Sequence, residues 1–193
     1  MKNSAAMRRV FGRSARIFIP VIHYAGTAEC LESIRTARRA GADGVCLIDQ
    51  GIGWRDLRAM LPAIRRELSS LPLGLNLLGA PPRAYLPGQA WAIDYADFHW
   101  TDHRTAFALD LKAPWFGGVA FKTEGHTPPE QYPHHVAEAL FQGVTVAVAS
   151  GPGTGHAAPV EKVRAVRQYA AETAVRTLAD RAMGYVSYAG VSA

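Results

Sequence analysis

The chain has 193 residues, of which 49% are hydrophobic and 19% are charged, a composition typical of one soluble globular domain. This apolar content excludes a disordered chain, and no apolar run reaches the about 18 residues that a membrane span requires. The length is also below the about 250 residues that are typical of a (β/α)8 barrel.

The net charge of +5 is confined to the N-terminal end of the chain. Residues 1–16 hold five basic residues and no acidic residue, and the remaining chain is neutral, with 16 basic and 16 acidic residues. We therefore expect residues 1–16 to be a flexible basic tail, residues 17–193 to be a single domain, and nucleic acid not to be a partner.

Cys30 and Cys46 stand alone rather than in a metal-binding spacing. Such cysteines are typical of buried, reduced thiols in a cytoplasmic protein. The sequence predicts neither a bound metal nor a cofactor.

Apolar, strand-like runs alternate with helical patterns in the first half of the chain, as in a parallel sheet built from βα units. We predict strands at residues 17–23, 44–49, 73–78 and 96–100. A helix at 28–40 is predicted to be capped by Thr27, and a second helix at 54–68 to be kinked or divided at Pro62.

The second half continues the alternation, with strands predicted at 118–122, 144–150 and 185–188 and a helix at 130–141. Residues 160–183 show helical spacing throughout and predict one long helix or two abutting ones. The count is seven strands, so the fold class we predict is α/β, a TIM (β/α)8-type barrel that is incomplete. The missing strand belongs between the sixth and the last.

Polar residues follow successive predicted strands where the chemistry of βα folds is placed. A complete set of this kind predicts a shared polar pocket at the carboxyl ends of the strands. The residues are His23, Asp49, Asn76, His99, Asp102, Lys122 and Ser150.

The most specific motif is the loop Ser150-Gly151-Pro152-Gly153-Thr154-Gly155 between a strand and a helix. Glycines allow backbone N–H groups to approach an anion, and the following helix adds a favourable dipole. A tight turn would also need glycine. Its position after a barrel-type strand favours an anion site formed by Ser150, Gly151, Gly153, Thr154 and Gly155.

The candidate catalytic residues are Asp49, Asp102 and Lys122. Either aspartate could serve as an acid–base group or cap the next helix. Lys122 could attack a carbonyl to form a Schiff base, hold an anion as a point charge, or extend to solvent. His23, Asn76 and His99 are predicted to bind substrate, although each also suits a buried polar position.

Two segments, residues 72–103 and 144–167, resemble the BtpA/SgcQ family. The first is similar to that family's Gly-hydrophobic-Asn strand followed by an Ala-Asp-Phe strand, and the second to its Ser-Gly-x-x-Thr-Gly loop. The resemblance implies a phosphate-binding TIM barrel. The positions that match the family's pattern are Asn76, Asp97, Ser150, Gly151, Thr154 and Gly155. The seventh strand with its phosphate loop, which the family has, is absent here.

Together these observations predict a protein that binds a small phosphorylated sugar or nucleoside-like ligand, with isomerase, lyase or glycosyl/phosphoribosyl-type chemistry. A sharper alternative is a Schiff-base carbonyl lyase that uses Lys122. A different class, a non-catalytic assembly or biogenesis factor, would follow if the incomplete barrel exposed strand edges that a second copy of the chain covers.

Overall fold

The computed structural model describes residues 2–13, 16–49, 53–78, 95–102, 113–153, 156–176 and 184–188. Two compact units divide the chain: the first is Met7–Trp100, and the second is Thr101–Ala193 with Met1–Ala6. The described residues form seven β-strands and five α-helices. No helix among them is long and apolar enough to cross a membrane.

Strands and helices alternate along the first half of the chain. In chain order the elements are α1 (Lys2–Phe11), β1 (Val21–His23), α2 (Thr27–Arg39), β2 (Val45–Ile48), α3 (Trp54–Leu68), β3 (Leu73–Asn76) and β4 (Phe98–Thr101). The pairs β1–β2, β2–β3 and β3–β4 are all parallel. All residues of β2 and β3 are buried, as expected for strands that are covered on both faces.

The two helices between these strands bear on the predictions made for Thr27 and Pro62. Helix α2 begins at Thr27 with Gly26 as its N-cap and no side-chain cap, so the prediction that Thr27 caps the helix was wrong. Helix α3 runs undivided from Trp54 to Leu68 with Pro62 inside it. Its apolar residues, spaced three or four apart, are buried because they share one face of the helix.

The N-terminal segment contains a helix where the sequence predicted a flexible tail. Met7 and Phe11 on α1 are buried, and the Phe11 ring lies 5.2 Å from the Phe98 ring, centroid to centroid. Arg13, just beyond the helix, forms an ion pair with Asp43. The prediction of a tail was based on net charge. The packing of this segment depends instead on Met7 and Phe11, which lie four residues apart on one face of the helix.

The second unit continues the alternation. Its elements are β5 (Trp115–Gly118), two 3-10 turns (Lys122–Glu124 and Pro129–Gln131), α4 (Tyr132–Phe141), β6 (Val146–Ser150), α5 (Val160–Arg176) and β7 (Gly184–Tyr188). Strand β6 pairs in parallel with both β5 and β7. The predicted helix extends to residue 183, and its part beyond Arg176 lies outside the described residues.

The fifth strand lies earlier in the chain than residues 118–122, so the predicted bounds were wrong. Strand β5 ends at Gly118, and Ala120 then adopts a left-handed backbone with φ of 47°. At the other end of the strand, the Trp115 indole donates a buried hydrogen bond to the Thr101 hydroxyl at 3.0 Å. Lys122 therefore lies in a 3-10 turn beyond the strand rather than at its last position.

Candidate functional site

Three of the predicted site residues lie at the carboxyl ends of β1, β2 and β3 in the first unit. His23 ends β1 and is exposed, and Asn76 ends β3 and is buried. Asp49 follows β2 and is also buried, and its Oδ1 accepts the backbone N–H of Leu78 at 2.6 Å. This carboxylate therefore holds the chain that leaves β3 against the end of β2.

His99 is the second residue of β4 and lies within the strand rather than at its end. The strand register places His99 in a row of apolar residues that crosses the neighbouring strands. The other members of the row are Leu75, Leu47 and Ile22. The side chain is completely buried, and this burial lowers the pKa of His99 to about 4. The imidazole is therefore neutral at pH 7.

In the second unit, the structure brings Asp102, Lys122 and Ser150 together. The backbone N–H of Lys122 donates to the buried Ser150 hydroxyl at 2.7 Å. The next residue, Thr123, donates from its hydroxyl to the backbone carbonyl of Asp102 at 3.3 Å. A Cβ on Gly118 would lie only 2.3 Å from that same carbonyl oxygen, so the end of β5 can pack this closely only with glycine there.

The two described glycines of the Ser150 loop differ in whether the surrounding atoms leave space for a side chain. A Cβ on Gly151 would lie 2.2 Å from the carbonyl oxygen of His156, so the loop's own packing demands glycine. Among the described residues, a Cβ on Gly153 would meet the His156 ring alone, at an ordinary 3.6 Å. Thr154 and Gly155, also predicted to bind the anion, lie outside the described residues.

Lys162, which is not among the site residues predicted from the sequence, contacts the residue at which this loop begins. Lys162 is the third residue of α5, and its amine donates to the carbonyl oxygen of Ser150 at 3.0 Å and to that of Ala120 at 2.5 Å. Burial lowers the pKa of Lys162, and the negative charge of Glu124 raises it in part. One amine thus links the carboxyl end of β6 to the left-handed residue after β5.

Glu124 and His135 form a carboxylate–imidazole pair in the same unit. Oε2 of Glu124 lies 3.2 Å from Nδ1 of His135, and the two side chains are only 15% and 9% exposed. Glu124 comes from the 3-10 turn that begins at Lys122, and His135 from the buried face of α4. The pair places a carboxylate and an imidazole, two groups that can serve in acid–base chemistry, side by side.

One signal in the sequence could have identified Lys162. Basic residues are unfavourable in the first turn of a helix, where the helix dipole is positive. A lysine there, directly after a glycine-rich loop, breaks a local rule without an obvious gain, and such exceptions are typical of functional positions. The contact with Ala120, 42 residues earlier, carries no sequence signal.

Metal binding finds no support in the part of the chain that the structure describes. Within those residues, no three histidine, cysteine, aspartate or glutamate side chains are grouped as a metal ion would require. The nearest arrangement to a ligand set is Glu124 with His135, which supplies two groups.

Comparison with known proteins gives matches in structure but not in sequence. No family model matches the chain, and a search of curated proteins finds no relative. A protein described as a deoxyribose-phosphate aldolase from Toxoplasma gondii is similar in structure, with a TM-score of 0.61, 12% identity, 99% of this chain covered and 81% of that chain. A rubisco-like protein from Alicyclobacillus acidocaldarius has a TM-score of 0.60 and 16% identity, over 96% of this chain and 52% of that chain.

These similarities confirm the fold class that the sequence predicted. The chain has a TIM-barrel-type α/β fold, with seven strands described where a complete barrel has eight. At 12% and 16% identity the matches show the fold alone. The resemblance to the BtpA/SgcQ family stays a prediction.

Proposed function

We propose that the chain binds a small phosphorylated sugar or nucleoside-like ligand at the carboxyl ends of β5 and β6 and acts on it as a lyase or isomerase. The observation that carries the proposal is the hydrogen bond from the Lys122 backbone to the Ser150 hydroxyl, at 2.7 Å. It joins two predicted site residues that follow successive strands. Asp102 approaches the same place through Thr123.

Gly153 supports the anion-binding part of the proposal. It has neither a positive φ nor a close neighbour that would exclude a side chain. A glycine that packing does not require is explained by the close approach of a ligand to the backbone. Gly151, in contrast, is explained by the turn itself.

The fold and the groups near Ser150 support the proposed reaction class. The structurally similar proteins include one described as a deoxyribose-phosphate aldolase, which favours a carbon–carbon lyase acting on a phosphorylated sugar. Asp102 and the Glu124–His135 pair would serve as acid–base groups, and Lys122 as a cation or nucleophile. The BtpA/SgcQ resemblance favours the same ligand class.

A thermal-shift titration tests ligand binding. Ribose 5-phosphate and inorganic phosphate should raise the Tm, and unphosphorylated ribose should not, because the loop recognises the anion. At a concentration of 100 times Kd the rise should be about 5–10 °C. Gly153→Val should abolish it by blocking the backbone, whereas Pro152→Ala, an exposed change in the same loop, should preserve it. No rise in the native chain, or a full rise in Gly153→Val, would contradict the proposal.

Borohydride trapping tests the Schiff-base alternative for Lys122. The amine would attack the substrate's carbonyl carbon, water would leave as the imine forms, and borohydride would reduce the imine to a stable secondary amine. Incubation with deoxyribose 5-phosphate should then leave an adduct on the peptide that contains Lys122, detected by mass spectrometry. Lys122→Arg should leave none. If the native chain binds phosphorylated sugars but yields no adduct, Lys122 acts only as a charge.

A further inference from the structure

The Lys162 amine donates to two backbone carbonyl oxygens rather than to a carboxylate. The acceptors are the carbonyl oxygens of Ser150 and Ala120, which are neutral dipoles. An ammonium group has three N–H donors, and within the described residues these two carbonyls are its acceptors. At the carboxyl end of β6, the third N–H donor of this amine therefore has no acceptor among the described residues.

Glu124 is the acidic residue whose charge acts on the Lys162 amine, but its carboxylate contacts a different side chain. Its negative charge acts on Lys162 over a distance, but its carboxylate contacts His135 at 3.2 Å. No ion pair joins Glu124 to Lys162 among the described contacts. Burial, the larger influence, lowers the pKa of Lys162, and Glu124 raises it in part without contacting the amine.

Three features make the surroundings of Lys162 suitable for an anion. Lys162 lies in the first turn of α5, where backbone N–H groups point toward the loop and the helix dipole is positive. Its acceptor Ser150 is the last residue of β6, directly before the loop. At Gly153, in the same loop, a Cβ would make only ordinary van der Waals contact among the described residues, while its carbonyl accepts the His156 N–H at 3.2 Å.

We infer that Lys162 is the cation that binds the anionic group of the ligand, a phosphate monoester, at the carboxyl end of β6. The inference rests on the proposed function, and it assigns the charge to a residue outside the set predicted from sequence. The two carbonyls fix the amine in place, so its third N–H and its charge meet the phosphate without a further ordering of the side chain. Lys122, by comparison, contributes its backbone N–H to Ser150.

Calorimetric titration with inorganic phosphate tests this assignment. Lys162→Met keeps the length and apolar stem of the side chain and removes the charge. It should weaken phosphate binding about 10- to 100-fold, as expected for the loss of one charged hydrogen bond. Arg164→Met, an exposed change of the same charge on the same helix, should bind as the native chain does. Lys162→Arg should restore part of the affinity.

The outcomes separate this inference from the proposed function. If the native chain binds phosphate and Lys162→Met binds it equally well, the inference is overturned and the proposed function stands. If the native chain binds neither phosphate nor ribose 5-phosphate, both are overturned. If Lys162 had a purely structural role, Lys162→Met would lower the free energy of unfolding but leave the Kd for phosphate unchanged.

A measurement on the native chain covers the case in which Lys162→Met fails to fold. The chain has four lysines, so NMR signals from selectively labelled lysine side chains can be assigned individually. Titration with inorganic phosphate should shift the Lys162 signal more than that of Lys2, which serves as an internal control. Equal or absent shifts, in a sample that binds phosphate, would overturn the inference.

Discussion

Polar residues within and after the strands serve different purposes in the two units of this chain. In the first unit, the Asp49 carboxylate holds the Leu78 backbone, and His99 is enclosed in an apolar row of the sheet. In the second unit, the Ser150 hydroxyl also accepts a backbone N–H, but the Lys162 amine donates to two backbone carbonyls rather than to a carboxylate. We therefore propose the ligand site in the second unit, where the Lys162 amine has an N–H donor beyond those that its two carbonyl acceptors use.

The largest effect expected is a pH dependence that arises from His99. Burial holds its pKa at about 4, below the about 6.5 of an unfolded histidine. Below pH 6.5 the unfolded chain therefore binds the proton more readily than the folded chain. The stability that the neutral imidazole contributes is complete above pH 6.5, and about 3 kcal/mol of it should be lost as the pH falls to 4.

Urea unfolding between pH 7 and pH 4 measures this effect. His99→Leu should reduce the pH dependence of the free energy of unfolding by about 3 kcal/mol. His23→Gln, an exposed change in the same unit, should leave the pH dependence of the native chain unaltered. Equal pH dependence in His99→Leu and the native chain would show that the imidazole is not enclosed as described.

A smaller effect on stability and binding should distinguish Asp49 and Ser150. The Asp49 side chain accepts the backbone N–H of Leu78, and the Ser150 side chain accepts that of Lys122. Asp49→Leu should lower the free energy of unfolding by about 2 kcal/mol, because it leaves the part-buried Leu78 N–H without its carboxylate acceptor, and Ser150→Ala by about 1 kcal/mol. Only Ser150→Ala should also weaken phosphate binding, since it lies next to Lys162. Urea unfolding and calorimetry measure the two quantities.

Asp49→Asn is the matched control for this comparison. Its amide oxygen can still accept the Leu78 N–H, so the free energy of unfolding should change by less than about 1 kcal/mol. If Asp49→Leu weakened phosphate binding more than Ser150→Ala does, the anion site would have to be sought in the first unit instead.

Periodicity was sufficient to predict most elements of the fold. The apolar spacing of α3 and the apolar runs of β2 and β6 are local properties, and these elements appear close to their predicted bounds. The fifth strand was misplaced because residues 118–122 are apolar enough for a strand. There Gly118 packs onto the Asp102 carbonyl and Ala120 turns the chain.

The sequence by itself determined the alternation of strands and helices and the presence of polar residues after successive strands. Those features depend on spacing within a few residues, which hydrophobic patterning reports directly. Only the tertiary structure decided which polar groups are enclosed, such as His99, and which lysine joins Ala120 to Ser150. The physical reason is that burial and hydrogen bonding depend on residues far apart in the chain, and no local pattern records their approach.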